Sequence, residues 1–453
     1  MSAISRHDPF AAIKQRNYRL FATGWMPASM GLQMQATALG WELYARTGDP
    51  LSLGFMGLAR ALPVIALSLP AGRIVDLVNR RNALVATQIA FALASVLLAL
   101  GSFAWEHDYL GEGGHGIWLM YALIACTSFA RVFNGPSRSS LLPQIIEGGP
   151  TAPAFHNALT WNSGVFQAAA IIGPMLAGGI IAITKVAWPV YAFSACASTG
   201  FAFTASFIHP HIDARDKSES AKTIWELVRP KVLLPGMLEG IRHMHRERAV
   251  FGAIALDLFA VILGGATALM PVYAADILHV GPVGLGALKS APFVGALVMA
   301  VILALRGPFK KAGPTLLWSV AGFGVCTIVF GVSRNIVLSL LALATLGAFD
   351  NVSVVVRSVL VSVRTPDRLR GRVAAVNTVF IESSNELGGF ESTAVAKLVG
   401  SVGSVVIGGV GTILVVIGMC FWIPELRRLG KLDQQAVEPV NPPQPLDIAA
   451  PVA

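Results

Sequence analysis

The sequence predicts an all-α membrane protein with twelve transmembrane helices in two six-helix halves. Three observations carry this prediction. Only 13% of the 453 residues are charged while 54% are hydrophobic, too few charges to clothe a water-facing surface. The apolar stretches run past about 18 residues without strict alternation, the pattern of spanning helices rather than barrel strands. They fall into two sets of six, separated by a long polar interval at 209–249. Lipid offers backbone groups no partners, so each span must satisfy its own hydrogen bonds as a helix.

Taken in order, the first seventeen residues are polar and basic, without the pattern of a cleavable signal peptide. Spans are expected at 18–45, 50–72, 82–104, 117–137, 158–183 and 187–208, then at 250–277, 284–305, 314–333, 336–362, 373–398 and 402–423. Basic residues cluster on one side: Arg6, Lys14 and Arg16, then Arg80 and Arg81, then the linker. Arg306, Lys310, Lys311, Arg364, Arg368, Arg370, Arg372, Arg427, Arg428 and Lys431 fall on that side too. The opposite loops hold little beyond Arg46, Lys185 and Arg334, and the longest, Trp105 to Gly116, has three acids and no Lys or Arg. The positive-inside rule then puts both termini and the linker in the cytoplasm, as an even span count requires.

This scatter makes the formal charge of +9 a set of membrane anchors rather than a nucleic-acid face. Cys126, Cys196, Cys326 and Cys420 all lie in apolar segments without CxxC spacing. They read as small buried side chains, with no disulfide framework and no metal site. No cofactor is expected. In the linker, Leu234, Met237, Leu238, Ile241 and Met244 recur at helical spacing away from Arg242, Arg246 and Arg248, which predicts an amphipathic helix on the inner leaflet. His243 and His245 in that stretch read as solvated. The tail beyond Glu425 carries Pro442, Pro443, Pro445 and Pro451 and is expected to be disordered. The chain thus divides into 1–208, a linker 209–249, 250–424 and a tail 425–453.

Between spans two and three the sequence reads Ala71-Gly72-Arg73-Ile74-Val75-Asp76-Leu77-Val78-Asn79-Arg80-Arg81. Gly72, Asp76, Arg80 and Arg81 resemble the loop signature of the major facilitator superfamily, G-x-x-x-D-x-x-x-R-[RK]. Asn79 stands where that pattern often has a second Gly, and Asn also tolerates a left-handed turn. Gly lets two helices approach closely; a carboxylate at a helix end caps it or pairs with arginines across the interface between halves. Such contacts would form only while the cytoplasmic gate is closed, as a latch. The alternative is a plain basic anchor. The corresponding loop of the second half, Arg306-Gly307-Pro308-Phe309-Lys310-Lys311, keeps the basic charge but has no Asp.

Span five contains Gly173-Pro174-Met175-Leu176-Ala177-Gly178-Gly179, similar to the G-P-x-x-G-G element of antiporters in that superfamily, with Ala177 in a glycine slot. Pro bends the helix and small residues admit a neighbour, so close helix packing is the competing reading. Trp41 to Gly48, Pro136 to Gln144, Gly371-Arg372-Val373 and Ser384 to Ser392 resemble the enterobactin-exporter branch, whose members are exporters of the bacterial inner membrane. The resemblance reaches Pro424 and leaves the cargo open.

An ionisable group at membrane depth faces a cavity or a partner. Arg60, Arg131, Asp257, Asp350, Glu382 and Glu386 are expected deep in the hydrocarbon; Lys289, Arg357, Glu391 and Lys397 nearer an interface, within reach by snorkelling. Glu382 and Glu386 are one helical turn apart, so two carboxylates share a face and favour a bound proton, unless each is paired with Arg131 or Arg60. Gln33, Gln35, Asn162 and Gln167 offer neutral hydrogen bonds, and Trp25, Trp161 and Trp318 flat apolar walls, although helix packing accounts for such residues equally well.

The family resemblance implies a secondary transporter that exports a small organic molecule, siderophore-like or amphiphilic and drug-like, by alternating access with protons as the coupling ion. Import of a nutrient on the same fold is the alternative. A membrane-embedded enzyme would need a nucleophile–base pair or metal ligands, and the sequence holds no HExxH, GxSxG or Walker loop. The small-molecule substrate, protons and the bilayer are the expected partners, and a monomer suffices.

Overall fold

The computed structural model describes residues 8–107, 109, 115–210, 241–242, 244–306, 309 and 311–430. Among them there is no β-strand, and nine helices are long and apolar enough to cross a bilayer. The first group is α1 (Arg16–Thr47), α2 (Leu51–Leu77), α3 (Arg80–Glu106), α4 (His115–Ile145), α5 (Pro153–Thr184) and α6 (Trp188–Ser206). The second is α7 (Arg248–Leu263), α8 (Gly281–Leu305), α9 (Ala312–Val332), α10 (Ile336–Arg364) and α11 (Asp367–Trp422). The linker helix predicted around 234–244 and the tail beyond 430 lie outside the described residues, apart from Ile241, Arg242 and Met244.

At 56 residues α11 would be about 84 Å long at ~1.5 Å per residue, far beyond a hydrocarbon core of roughly 30 Å. It reverses at Gly400, whose φ of 80° and ψ of 159° a side chain would oppose. The limb after Gly400 runs back along the first, with Ser404 Oγ donating to Ser392 O at 2.6 Å and Thr412 Oγ1 to Ala260 O of α7 at 3.2 Å.

The helices form two bundles with the same neighbour plan. In the first, α1 packs on α5 and α6, α3 on α4 and α6, and α2 on α4. In the second, α7 and α9 pack on α11, and α8 and α9 on α10. Two seams join the bundles: α5 against α8, and α2 against α11. The outside is apolar, with Leu62, Ile183, Leu305, Leu398 and Phe421 all exposed, as suits side chains whose solvent is lipid. Trp318 belongs to that surface, 76% exposed, so it walls no cavity. Cys126 and Cys196 are exposed as well; the expectation that all four cysteines are buried fails because an apolar segment presents one face to lipid.

Local chemistry explains several ends. Asn79 is extended rather than left-handed, and its Oδ1 caps α3 by accepting from the backbone N–H groups of Arg81 and Asn82 at 3.1 and 3.3 Å. Asn335 does the same for α10. α4 continues through Pro136 and Pro143 to Ile145, eight residues beyond the expected end of its span at 137. α7 breaks at Gly264–Gly265, passes through a 3₁₀ turn Ala266–Leu269, and ends in a wide π turn Tyr273–Ile277, where an unbroken span was expected.

Opposite ends of the assembly can be named from α1. Near its Thr47 end, a buried Glu42 accepts from Ser102 Oγ at 2.6 Å, Tyr191 Oη at 2.7 Å and the Arg46 guanidinium at 2.9 Å, tying α1 to α3 and α6. Near its Arg16 end, Asn157 accepts from Ala12 N–H and donates to Pro9 O, so the start of the chain is pinned to α5.

Candidate functional site

Between the bundles lies a cavity of about 520 Å³, lined from α1, α2, α5, the broken end of α7, α8, α9, α10 and α11. Its walls are largely apolar, including Leu53, Met56, Val261, Phe293, Phe323 and Leu346. Its charges are Arg60, Lys289, Asp350 and Glu386; Gln33, Thr37, Gln167, Thr267 and Asn385 add neutral polar groups. An apolar pocket with a few convergent polar groups is the usual form of a small-molecule site.

The two seams that bound it differ in chemistry. Along α5 and α8 the backbones nearly touch: a Cβ on Gly178 would stand 2.3 Å from Pro282 O, and one on Gly286 2.5 Å from Pro174 O. Ser290 Oγ of α8 donates to Ile171 O of α5 at 2.6 Å, and Gln167 Nε2 to Phe293 O at 2.6 Å. Along α2 and α11 the contacts are charged and aromatic. Arg60 pairs with Glu386 at 3.4 Å, Phe55 meets Phe390 with ring centroids 5.9 Å apart, and Lys397 Nζ donates to Asp49 at 2.8 Å. Arg131 of α4 reaches Glu382 of α11 at 3.8 Å. Tyr44 Oη of α1 donates to Asp276, next to the end of α7. The Lys397–Asp49 and Tyr44–Asp276 contacts, with Gly178 against Pro282, converge the bundles on the Thr47 side of the cavity.

Glu382 and Glu386 therefore share a face as the spacing required, but each carboxylate meets an arginine from the other bundle. Pairing with Arg60 and Arg131, the alternative arrangement for these two acids, is the one the structure holds. Asp350 lines the cavity with no hydrogen bond or ion pair among the described residues. Asp257 is elsewhere: it pairs with Arg357 in the interior of the second bundle, so Arg357 is buried there and does not snorkel. Lys397 is not free at an interface either, since it bonds Asp49. Gln33 and Gln167 line the cavity, whereas Gln35 accepts from Ser95 Oγ at 3.0 Å inside the first bundle. Trp25 lies buried beneath the Arg138 guanidinium, 3.9 Å from its ring centroid, and Trp161 Nε1 donates to Pro9 O.

The antiporter-like element divides its work. Gly173 abuts α1, where a Cβ would stand 2.8 Å from Gln33 Cβ; Pro174 lines the cavity; Gly178 abuts α8. In the loop signature, Gly72 is not a point of close approach, since a Cβ there meets nothing within 4 Å. Arg81 Nη1 donates to Ile208 O at 3.3 Å, tying α3 to the end of α6 within one bundle rather than across the interface. The Asp76 side chain lies outside what the structure describes.

Sequence reasoning missed two parts of the cavity. Lys289 donates from Nζ to Ala36 O of α1 at 3.0 Å, inside the cavity and not at the membrane surface. The broken end of α7 supplies Gly264, Gly265, Thr267 and Pro271 to the wall. Its signal was present, for paired glycines followed by Pro271 interrupt an otherwise apolar span.

The Major Facilitator Superfamily model matches residues 21–389, most of the chain and both bundles. The chain belongs to the Major Facilitator Superfamily. That family consists of transporters and not enzymes. Among curated relatives, the chain is 27% identical over 381 residues to the multidrug efflux pump Tap of Mycobacterium tuberculosis, covering 82% of this chain and 84% of that one. It is 20% identical over 327 residues to macrolide efflux protein A of Streptococcus pyogenes, covering 70% and 74%. Among solved structures, a POT family transporter in complex with 5-aminolevulinic acid superposes with a TM-score of 0.68 at 11% identity, over 91% of this chain and 97% of that one. A D-xylose–proton symporter gives 0.64 at 13% identity, over 90% and 99%. At such identities these two structures speak for the facilitator fold alone.

Proposed function

We propose that this facilitator exports a small amphiphilic organic molecule across a bacterial inner membrane, exchanging it for protons by alternating access. The observation that carries the reading is the central cavity, apolar-walled and charged at a few points, lying between two bundles that can rock about it. The multidrug and macrolide efflux relatives support export and drug-like cargo. The branch resemblance of Ser384 to Ser392 supports a siderophore-like molecule as a second cargo class. Residues 1–208 and 250–424 are the moving halves, each crossing six times, joined by the linker 209–249 and followed by the tail 425–453. The basic residues at the Arg16 end support cytoplasmic termini, with the converged Thr47 end closing the cavity from outside. A monomer holds the whole path.

Protons act on the charged seam. Protonating Glu386 removes the partner of Arg60, and an arginine left unpaired at this depth is costly, so the α2–α11 seam repacks. Glu382 and Arg131 respond in the same sense, and Asp350 of α10 offers a third carboxylate in the cavity lining. Asp257 with Arg357 holds α7 to α10 as the second bundle moves.

Everted membrane vesicles test the proposal. An acid-inside pH gradient should drive uptake of an amphiphilic fluorescent dye, abolished by a protonophore and by Glu386→Gln at unchanged protein level. Uptake confined to right-side-out vesicles would establish import instead; uptake insensitive to the gradient would remove proton coupling.

A further inference from the structure

We propose that the cavity selects amphoteric molecules, with Lys289 receiving an acidic group of the cargo and Asp350 a basic one. The inference rests on the reading of this cavity as the cargo site. Of its four charged residues, Arg60 and Glu386 satisfy each other at 3.4 Å. The other two do not. Lys289 makes one hydrogen bond, to a backbone carbonyl, and has no carboxylate within ion-pair distance among the described residues. Asp350 has no polar partner at all among them.

Geometry keeps this pair apart. α8 and α10 cross where Pro292 and Gly295 meet Gly347 and Ala344: a Cβ on Gly347 would stand 1.9 Å from Pro292 O, and one on Gly295 1.7 Å from Ala344 O. Both helices run from the Thr47 end toward the Arg16 end. Measured from the middle of that crossing, Lys289 lies four to five residues before it and Asp350 four to five after it, a separation of roughly 13 Å along the axis at ~1.5 Å per residue. The cavity wall thus presents a cation and an anion at different levels, with apolar surface between. Leaving either charge unmatched in such a place is unfavourable. A ligand with an apolar body and two opposite charges completes both. A purely cationic ligand satisfies Asp350 but meets Lys289 as a like charge, and a purely anionic one does the reverse.

A matched dye pair reads this out: a rhodamine carrying its free carboxylate, which is zwitterionic, and the ethyl ester of the same dye, which is a cation. Binding to the purified full-length protein in lipid nanodiscs is measured by fluorescence anisotropy. The free acid should bind at least tenfold more tightly than the ester. Lys289→Met should weaken the acid about tenfold and tighten the ester, inverting the preference; Lys289→Arg should keep it. Asp350→Asn should weaken both dyes. Monodisperse elution and unchanged melting of each variant separate these effects from misfolding. Equal affinity of acid and ester in the unaltered protein, or an unchanged preference in Lys289→Met, overturns the inference while Asp350→Asn still weakens binding. If neither substitution changes either affinity, the cavity is not the cargo site and both readings fall.

Discussion

The α5–α8 seam and the α2–α11 seam join the same two bundles by opposite means. In the first, glycine and proline bring backbone against backbone, so its strength is shape, dispersion and neutral hydrogen bonds from Ser290 and Gln167, which proton concentration does not touch. In the second, aromatic rings flank ion pairs whose energy depends on the charge state of Glu386, Glu382 and Asp49. In the proposed cycle the first seam would stay in register while it pivots, and the second would be released by a proton. A transporter that moves one bundle against the other needs both kinds. In this fold, helices in corresponding positions of the two halves have been given different chemistry.

The largest effect should come from crowding the first seam. Gly178→Leu places a branched side chain where even a Cβ meets Pro282 O, with no flexible atom to yield. Overpacking of this kind costs roughly 1–3 kcal/mol or more, and transport in everted vesicles should fall to background with a lowered Tm. A Leu variant that transports normally would show that the seam opens widely in the cycle. Next, Arg60 and Glu386 should be strongly coupled. Removing one partner of a half-buried pair strands the other, so each single change to Ala should be more harmful than the double change. A double-mutant cycle on thermal stability and transport gives the coupling directly, and additivity would break the contrast between seams.

A smaller effect is expected at Arg131 and Glu382, which stand 3.8 Å apart with both side chains more than a third exposed. Glu382→Gln should reduce transport less than Glu386→Gln does; the reverse order would move the coupling site one turn along α11. The smallest belongs to Asp49 and Lys397, an exposed pair worth no more than ~1 kcal/mol. The hydrogen bond from Lys397 holds the Asp49 carboxyl below the usual carboxylate range. A depressed pKa in the closed form means that the contact stabilises closure above the free value of about 3.9, and loses that contribution as pH falls through the depressed value. Cross-linking of cysteines placed beside Asp49 and Lys397 should therefore be constant from pH 5 to pH 8 and weaken only in stronger acid. A change near neutrality would assign that titration to another group.

How much of this was legible in the chain depends on the range of the interaction. Helical spans, the family signature around Gly72 and the shared face of Glu382 and Glu386 are local properties. They follow from apolar run length, from residues a few positions apart, and from 3.6-residue periodicity. Gln33 and Gln167 also reached the cavity as polar residues in apolar spans tend to do. What the sequence could not decide is which helix faces meet. Lys289 looked like a membrane-surface lysine until α8 was set against α1, and Trp318 looked like a cavity wall until α9 turned it to lipid. Glu386 looked like half of an acidic pair until α2 brought Arg60 across from a position more than three hundred residues earlier. The sequence by itself determined an α-helical facilitator with its charges at membrane depth. Only the tertiary structure decided which of them neutralise one another and which remain for a ligand, because that choice is made by packing between segments far apart in the chain.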